Sequence, residues 1–311
     1  DQAILVEERY ENSGLQLIPY GRNRIDVRVP ERQRLVPTRT GLTMMLDLLH
    51  RSRMQFPGMA VGVLRRILDE ALAHVRDRDV GGKSLFHYDQ VQRRLARIQA
   101  SFTVASAMSV YAAEHAGVEQ DLAKAGVPAN AIKSVVTDLM QEASQSLLQL
   151  VGAKGYRFDH IAWRSVADTR PFQIFEGSND ILYEQLAEAM VKHMRRAGHD
   201  DLQDFLASFE LTSRAAEHLG DAARFRLDAE LPQRRIVDLG RALGRVIAMQ
   251  WVIELGDRGF QPDLVANAVE QIRVEVRALL GTVRDPARTE VVEDYAAGGS
   301  WLAFVPSGGE A

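Results

Sequence analysis

Beyond about residue 40 the apolar residues of this chain recur almost everywhere at helical spacing, and that periodicity limits what the chain can fold into. From Gly58 onward Val61, Leu64, Ile67, Leu68, Ala71, Leu72 and Val75 form one continuous stripe, while Arg65, Arg66, Asp69 and Glu70 lie elsewhere on the wheel. A second stripe carries Val91, Leu95, Ile98, Phe102 and Ala105. A third helix is predicted from the turn Gly126, Val127, Pro128 to about Gly152, with Asn130 as N-cap. A fourth starts near Ser178 and is expected to bury Ile181, Leu182, Leu186, Ala189, Met190 and Met194. Gly81 with Gly82, and Gly152 with Gly155, supply the breaks. Four such helices predict a mainly α fold, a four-helix bundle.

The flanks differ. Ile25, Val27 and Val29 alternate with Asp26 and Arg28 ahead of Pro30, the period of a half-buried strand. Past residue 197 two or three further amphipathic helices are predicted. One carries Ile236, Leu239, Leu243, Val246 and Ile247, and another Leu264, Ala268, Ile272, Val276 and Leu279. The tail after Pro286 is richer in glycine and is expected to end irregularly.

With 311 residues, 46% of them hydrophobic and 26% charged, the chain can bury a substantial core. Its net charge of -4 and lack of a basic cluster argue against nucleic acid as a partner. The absence of cysteine excludes disulfides, thiolate metal sites and a cysteine nucleophile, and no metal site is expected. No apolar run reaches the roughly 18 residues of a membrane span and no leader is apparent, so the cytoplasm is the default compartment. The first residue is Asp1 rather than Met, which suggests a processed chain or a fragment.

The stretch PFQIFEGSNDILYEQ, residues 171 to 185, concentrates the chemistry. Glu176 stands between an apolar half and a helix start, where an acid meets the positive end of the helix dipole and Ser178 or Asn179 provides a cap. Phe172, Ile174 and Phe175 ahead of it predict instead a partly apolar cleft, in which a desolvated carboxylate serves as a general base. Gly177 removes a side chain where a substrate would approach closely.

These residues resemble the acyl-CoA dehydrogenases. Residues 175 to 182, Phe-Glu-Gly-Ser-Asn-Asp-Ile-Leu, are similar to that family's glutamate segment, in the wording of its very-long-chain branch. Gln149, Gly152 and Gly155 fall in register on its Gln-x-x-Gly-Gly-x-Gly turn. Arg78, Gly82, Leu85, Val91, Gln92 and Leu95 resemble its Arg-x-x-Phe-Gly-x-x-Leu segment and the following helix. Lys133 and Arg53 match a lysine early in the third helix and an arginine before the first. The likeness covers about residues 23 to 195. Gly81 stands for the usual Phe, Ala153 for the second Gly, and Asp89 for a frequent Gln.

The resemblance implies a four-helix bundle of the acyl-CoA dehydrogenase C-terminal type at residues 41–197, preceded by the end of the middle β domain at 1–40 and followed by a helical C-terminal extension at 198–311. It implies FAD as cofactor and a long-chain acyl-CoA as substrate, dehydrogenated to the trans-2-enoyl thioester with Glu176 as the base. Arg78, Gln149, Gly152, Ala153, Ser178 and Asp180 then correspond to cofactor contacts, and Arg53, Phe175 and Gly177 to substrate contacts. A homodimer or higher assembly and an electron-transfer flavoprotein as acceptor are implied as well. The extension of that branch serves dimer and membrane surfaces, so membrane association is one expectation for residues 198–311 and a structural cap on the bundle the other. A non-catalytic scaffold or partner-binding bundle built on the same motifs is the alternative reading of the whole chain.

Overall fold

The computed structural model describes residues 3–295 except 229, 286 and 288. Most of the glycine-rich tail after Pro286 therefore lies outside the described residues, and residues 289–295 contain no helix.

The chain opens with a hairpin of β1 (Ala3–Arg9) and β2 (Gly21–Asp26), antiparallel with Ala3 opposite Asp26 and Arg9 opposite Gly21. This corrects the single half-buried strand expected at 25 to 29. Val27 and Val29 lie past the end of β2, and Ile25 is 65% exposed, because along most of both strands the side chains meet solvent rather than a packed layer. The loop between the strands anchors the hairpin: Leu15 N donates to Asp168 Oδ1 at 2.7 Å. Gly14 lies so close to the carbonyl of Ala167 that a Cβ would stand 2.2 Å from its oxygen.

Helix α1 (Gly41–Arg53) starts at Thr40, whose hydroxyl accepts from Thr43 N. It precedes α2 (Phe56–Asp77), which buries Leu64, Ile67, Ala71 and Val75 as the stripe requires. Gly81 and Gly82, both in the left-handed region, turn β3 (Asp79–Val80) into β4 (Lys83–Ser84). Then come α3 (Asp89–His115), α4 (Gly126–Val151), the short α5 (Ile161–Thr169) and α6 (Asn179–Arg196). The remainder forms α7 (Leu202–Ser208), α8 (Ser213–Ala216), α9 (Gln233–Asp257) and α10 (Pro262–Arg284).

Two local expectations fail for tertiary reasons. Helix α4 begins at Gly126, not after Asn130, because Pro128 sits in its first turn, where the missing N–H has no intrahelical partner to lose. Asn130 is buried inside the helix. On α6 Ile181 is 50% exposed and Ala189 only half-buried, whereas Tyr183 and Ala187 are buried with Leu182, Leu186, Met190 and Met194. The buried face is rotated toward Tyr183 because α9 packs there: a Cβ on Gly240 would stand 2.0 Å from the carbonyl oxygen of Tyr183. One contiguous core unites α2, α3, α4 and α6 with α9 and α10. Among the described residues no helix is long and apolar enough to cross a membrane.

Candidate active site

The peptide between α5 and α6 makes a turn that chain stereochemistry disfavours. Glu176 has φ 58° and Gly177 φ 94°, two consecutive left-handed residues of which the first carries a side chain. A conformation of this kind costs on the order of 1–3 kcal/mol and persists only when the surroundings enforce it. Two buried cations do so. Arg53, the last residue of α1, is 7% exposed; its Nη2 donates to the Glu176 carbonyl at 2.6 Å and its Nη1 to Asn130 Oδ1 at 2.7 Å. Lys133 of α4 is fully buried, and its Nζ donates to the Gly177 carbonyl at 2.8 Å and to Asn179 Oδ1 at 2.9 Å. A Cβ on Gly177 would press on Leu182 at 3.1 Å and on Arg53 Nη2 at 3.4 Å.

With both carbonyls drawn onto cations, the Glu176 side chain meets Ser52, whose hydroxyl donates to Oε1 at 2.6 Å. Oε2 is buried and has no hydrogen-bond partner among the described residues. Burial pushes Lys133 down to about 8, and the nearby Arg53 charge adds to the effect, against Asp138 and Glu176, which raise it. Burial likewise lowers Arg53, opposed by the Glu176 charge. Phe175 turns into an aromatic cluster, its ring centroid 5.1 Å from that of Phe172 and 6.1 Å from that of Phe56.

Glu176, Arg53, Phe175, Gly177 and Ser178 thus lie together, but the remaining sequence candidates do not all join them. Ser178 is the N-cap of α6, yet its side chain makes no capping bond. Asp180 is exposed and paired with Arg241 of α9 at 2.7 Å. Arg78 closes α2, Gln149 lies in the last turn of α4, and Gly152 and Ala153 follow it in a 3-10 turn; all four are exposed. Arg78 and Lys154 both act electrostatically on His74, so the two helices finish at one end of the bundle. From Asn130 to Gln149 is 19 residues, about 28 Å at the α-helical rise. A cavity of about 1020 Å³ between α2 and α5 reaches Phe172 and does not include Glu176.

Sequence reasoning missed Ser52, Asp138, Asn179 and Tyr183 as parts of this site. Asn179 Nδ2 donates to Asp138 Oδ1 at 2.6 Å, and Tyr183 OH donates to Asp138 Oδ2 at 2.7 Å. Only the α4 face that receives Asn179 left a usable signal: Asn130, Lys133, Ser134 and Thr137 recur at helical spacing on an otherwise apolar segment.

Residues 39–191 match the family model for the acyl-CoA dehydrogenase C-terminal domain. The chain is 30% identical over 153 residues to the probable acyl-CoA dehydrogenase FadE25 of Mycobacterium tuberculosis, covering 49% of this chain and 39% of that protein. It is 26% identical over 156 residues to the human mitochondrial very long-chain specific acyl-CoA dehydrogenase, covering 50% of this chain and 24% of that one. It therefore spans well under half the length of these relatives. A crystal structure of an acyl-CoA dehydrogenase complexed with FAD from Bacillus anthracis superposes with a TM-score of 0.67 at 15% identity, covering 90% of this chain and 56% of that one. That coverage carries the likeness of fold beyond residue 197. Through residues 39–191 the chain belongs to the acyl-CoA dehydrogenase family, whose C-terminal helical domain it contains.

Proposed function

We propose that this chain is the C-terminal part of a FAD-dependent acyl-CoA dehydrogenase acting on a long-chain thioester, with Glu176 as the base that removes the α-proton. The observation that carries the reading is the asymmetry of the carboxylate. Ser52 fixes Oε1 while Oε2 is buried without a partner, an arrangement that costs stability unless a ligand supplies a hydrogen there. Arg53 and Lys133 hold the peptide on either side, so the base is oriented before substrate arrives.

The remaining candidates suit a diphosphate-bearing cofactor. Arg78 is exposed and forms no ion pair among the described residues, the Ser178 hydroxyl makes no capping bond at the head of α6, and Gly152 leaves open space around the end of α4. Arg78 would hold the diphosphate, Gln149, Gly152 and Ala153 the adenosine end, and Ser178 with Asp180 the flavin end. FAD, when bound, supplies the acceptor for the β-hydrogen with its bonding electrons. Because the two groups of residues stand at opposite ends of the bundle, one cofactor engages them from two protomers, which makes the protein a homodimer or higher. An electron-transfer flavoprotein is the acceptor this reading implies.

The deciding experiment is anaerobic mixing of the full-length holoenzyme with a series of acyl-CoAs while flavin absorbance is followed. Glu176→Gln should retain flavin and bind acyl-CoA yet bleach on the order of 100- to 10,000-fold more slowly. Bleaching at the parental rate would make Glu176 a helix-end residue. The scaffold reading rests on Gly81, on Ala153 and on the Arg241 ion pair that occupies Asp180. It predicts purified protein without flavin absorbance.

A further inference from the structure

The Glu176 turn is gripped from both sides by a single carboxylate. Asp138 Oδ1 accepts from Gln173 Nε2 at 2.7 Å, just ahead of the turn, and from Asn179 Nδ2 at 2.6 Å, just after it. The other oxygen of Asp138 accepts from Tyr183 OH at 2.7 Å. Asn179 passes the constraint to Lys133, and Lys133 to the Gly177 carbonyl. Tyr183 is also held from outside the family-matched residues. Gly240 of α9 lets that helix rest directly on the Tyr183 backbone, and Gly244, one turn on, lies where a Cβ would meet Val135 at 3.1 Å and the Tyr183 ring at 3.4 Å. One residue further, Arg245 is 6% exposed, bonds Glu275 of α10 at 3.1 Å and reaches Glu142 of α4 at 3.5 Å.

We propose that α9 is a positioning element for the Glu176 turn, acting through Tyr183 and Asp138. The helix contributes no group to the reacting atoms. It holds the Tyr183 ring where its hydroxyl orients Asp138, and Asp138 sets the span between Gln173 and Asn179 across which the left-handed pair is stretched. The functional meaning rests on Glu176 being the base, whereas the mechanical coupling does not.

The test therefore has two arms. In the full chain, hydrogen exchange is read at the amides of residues 174–180 for Tyr183→Phe, which removes one hydroxyl from a core of unchanged shape. Exchange in the turn should quicken about five- to tenfold, as expected for one lost hydrogen bond, while α2 and α3 amides stay unchanged. Asp138→Leu should do the same, and Asp138→Asn, which keeps an acceptor for Gln173 and Asn179, should restore protection. Gly244→Ala, whose methyl meets only side-chain atoms at 3.1–3.5 Å, displaces α9 mildly and should move the turn in the same direction. Unchanged exchange in the turn, even with a lower melting temperature, would overturn the proposal. In the holoenzyme, Tyr183→Phe should slow flavin reduction about tenfold with acyl-CoA affinity within about twofold, since only orientation is lost. An unchanged rate beside a loosened turn overturns the role of Glu176 as base and leaves the coupling standing.

Discussion

Lys133 carries a charge where the fold gives it almost no water. Its two hydrogen bonds, to Gly177 O and Asn179 Oδ1, need only the two donors of a neutral amine, so deprotonation removes the charge without breaking the turn. Its folded value of about 8 lies below the unfolded 10.5, so between these pH values the unfolded chain binds the additional proton and stability rises with pH. Urea unfolding across that window should show this rise, and Lys133→Met, less stable throughout, should lack it. Gly177→Ala forces a Cβ onto the φ of 94° and against Leu182, and should lower stability by about 1–3 kcal/mol in the same assay. Glu176 and Gly177 were legible because their signal is contiguous, an acid and a glycine between an apolar run and a helix start. Asn130 was misread for a complementary reason: cap chemistry is local, whereas its side chain bonds Arg53 and Gln185, 77 and 55 residues away. Ser52 and Asp138 left no local signal, since each acts on the turn across the bundle.

The long elements follow their periodicity and the short ones do not. Helix α2 could be read from its stripe, and Leu64 at its centre is fully buried, so Leu64→Ala should cost about 2–5 kcal/mol in urea unfolding. Helix α5 has nine residues, too few for a stripe to stand out, and β1 reads Ala-Ile-Leu-Val-Glu-Glu-Arg, a run without alternation. Both were missed. A two-stranded hairpin is marginal by itself, and here it is tied to the bundle by the Leu15 bond to Asp168 and the contact of Gly14 with Ala167. Asp168→Ala should accelerate proteolytic cleavage within residues 10 to 30 while leaving the melting temperature of the helical core nearly unchanged. Limited proteolysis beside calorimetry separates the two effects.

At the scale of the whole molecule, the proposed cofactor site draws on both ends of the bundle, about 28 Å apart along α4, and so on two protomers; on that proposal cofactor retention and assembly should be lost together. Arg78→Ala, exposed and without an ion pair among the described residues, should weaken flavin retention in the holoenzyme while leaving the unfolding midpoint of the apoprotein unchanged within error. Light scattering should find the flavin only in species larger than a monomer. The seat of α9 on α6 has a further bearing, on how portable this piece of protein is between homologues. A chimera joining residues 39–191 to another relative's C-terminal segment would have to bring glycine to position 240, because any other residue there collides with backbone and not with a side chain that can swing aside. Exchange between relatives at this junction is therefore restricted to partners that already carry a glycine matching Gly240.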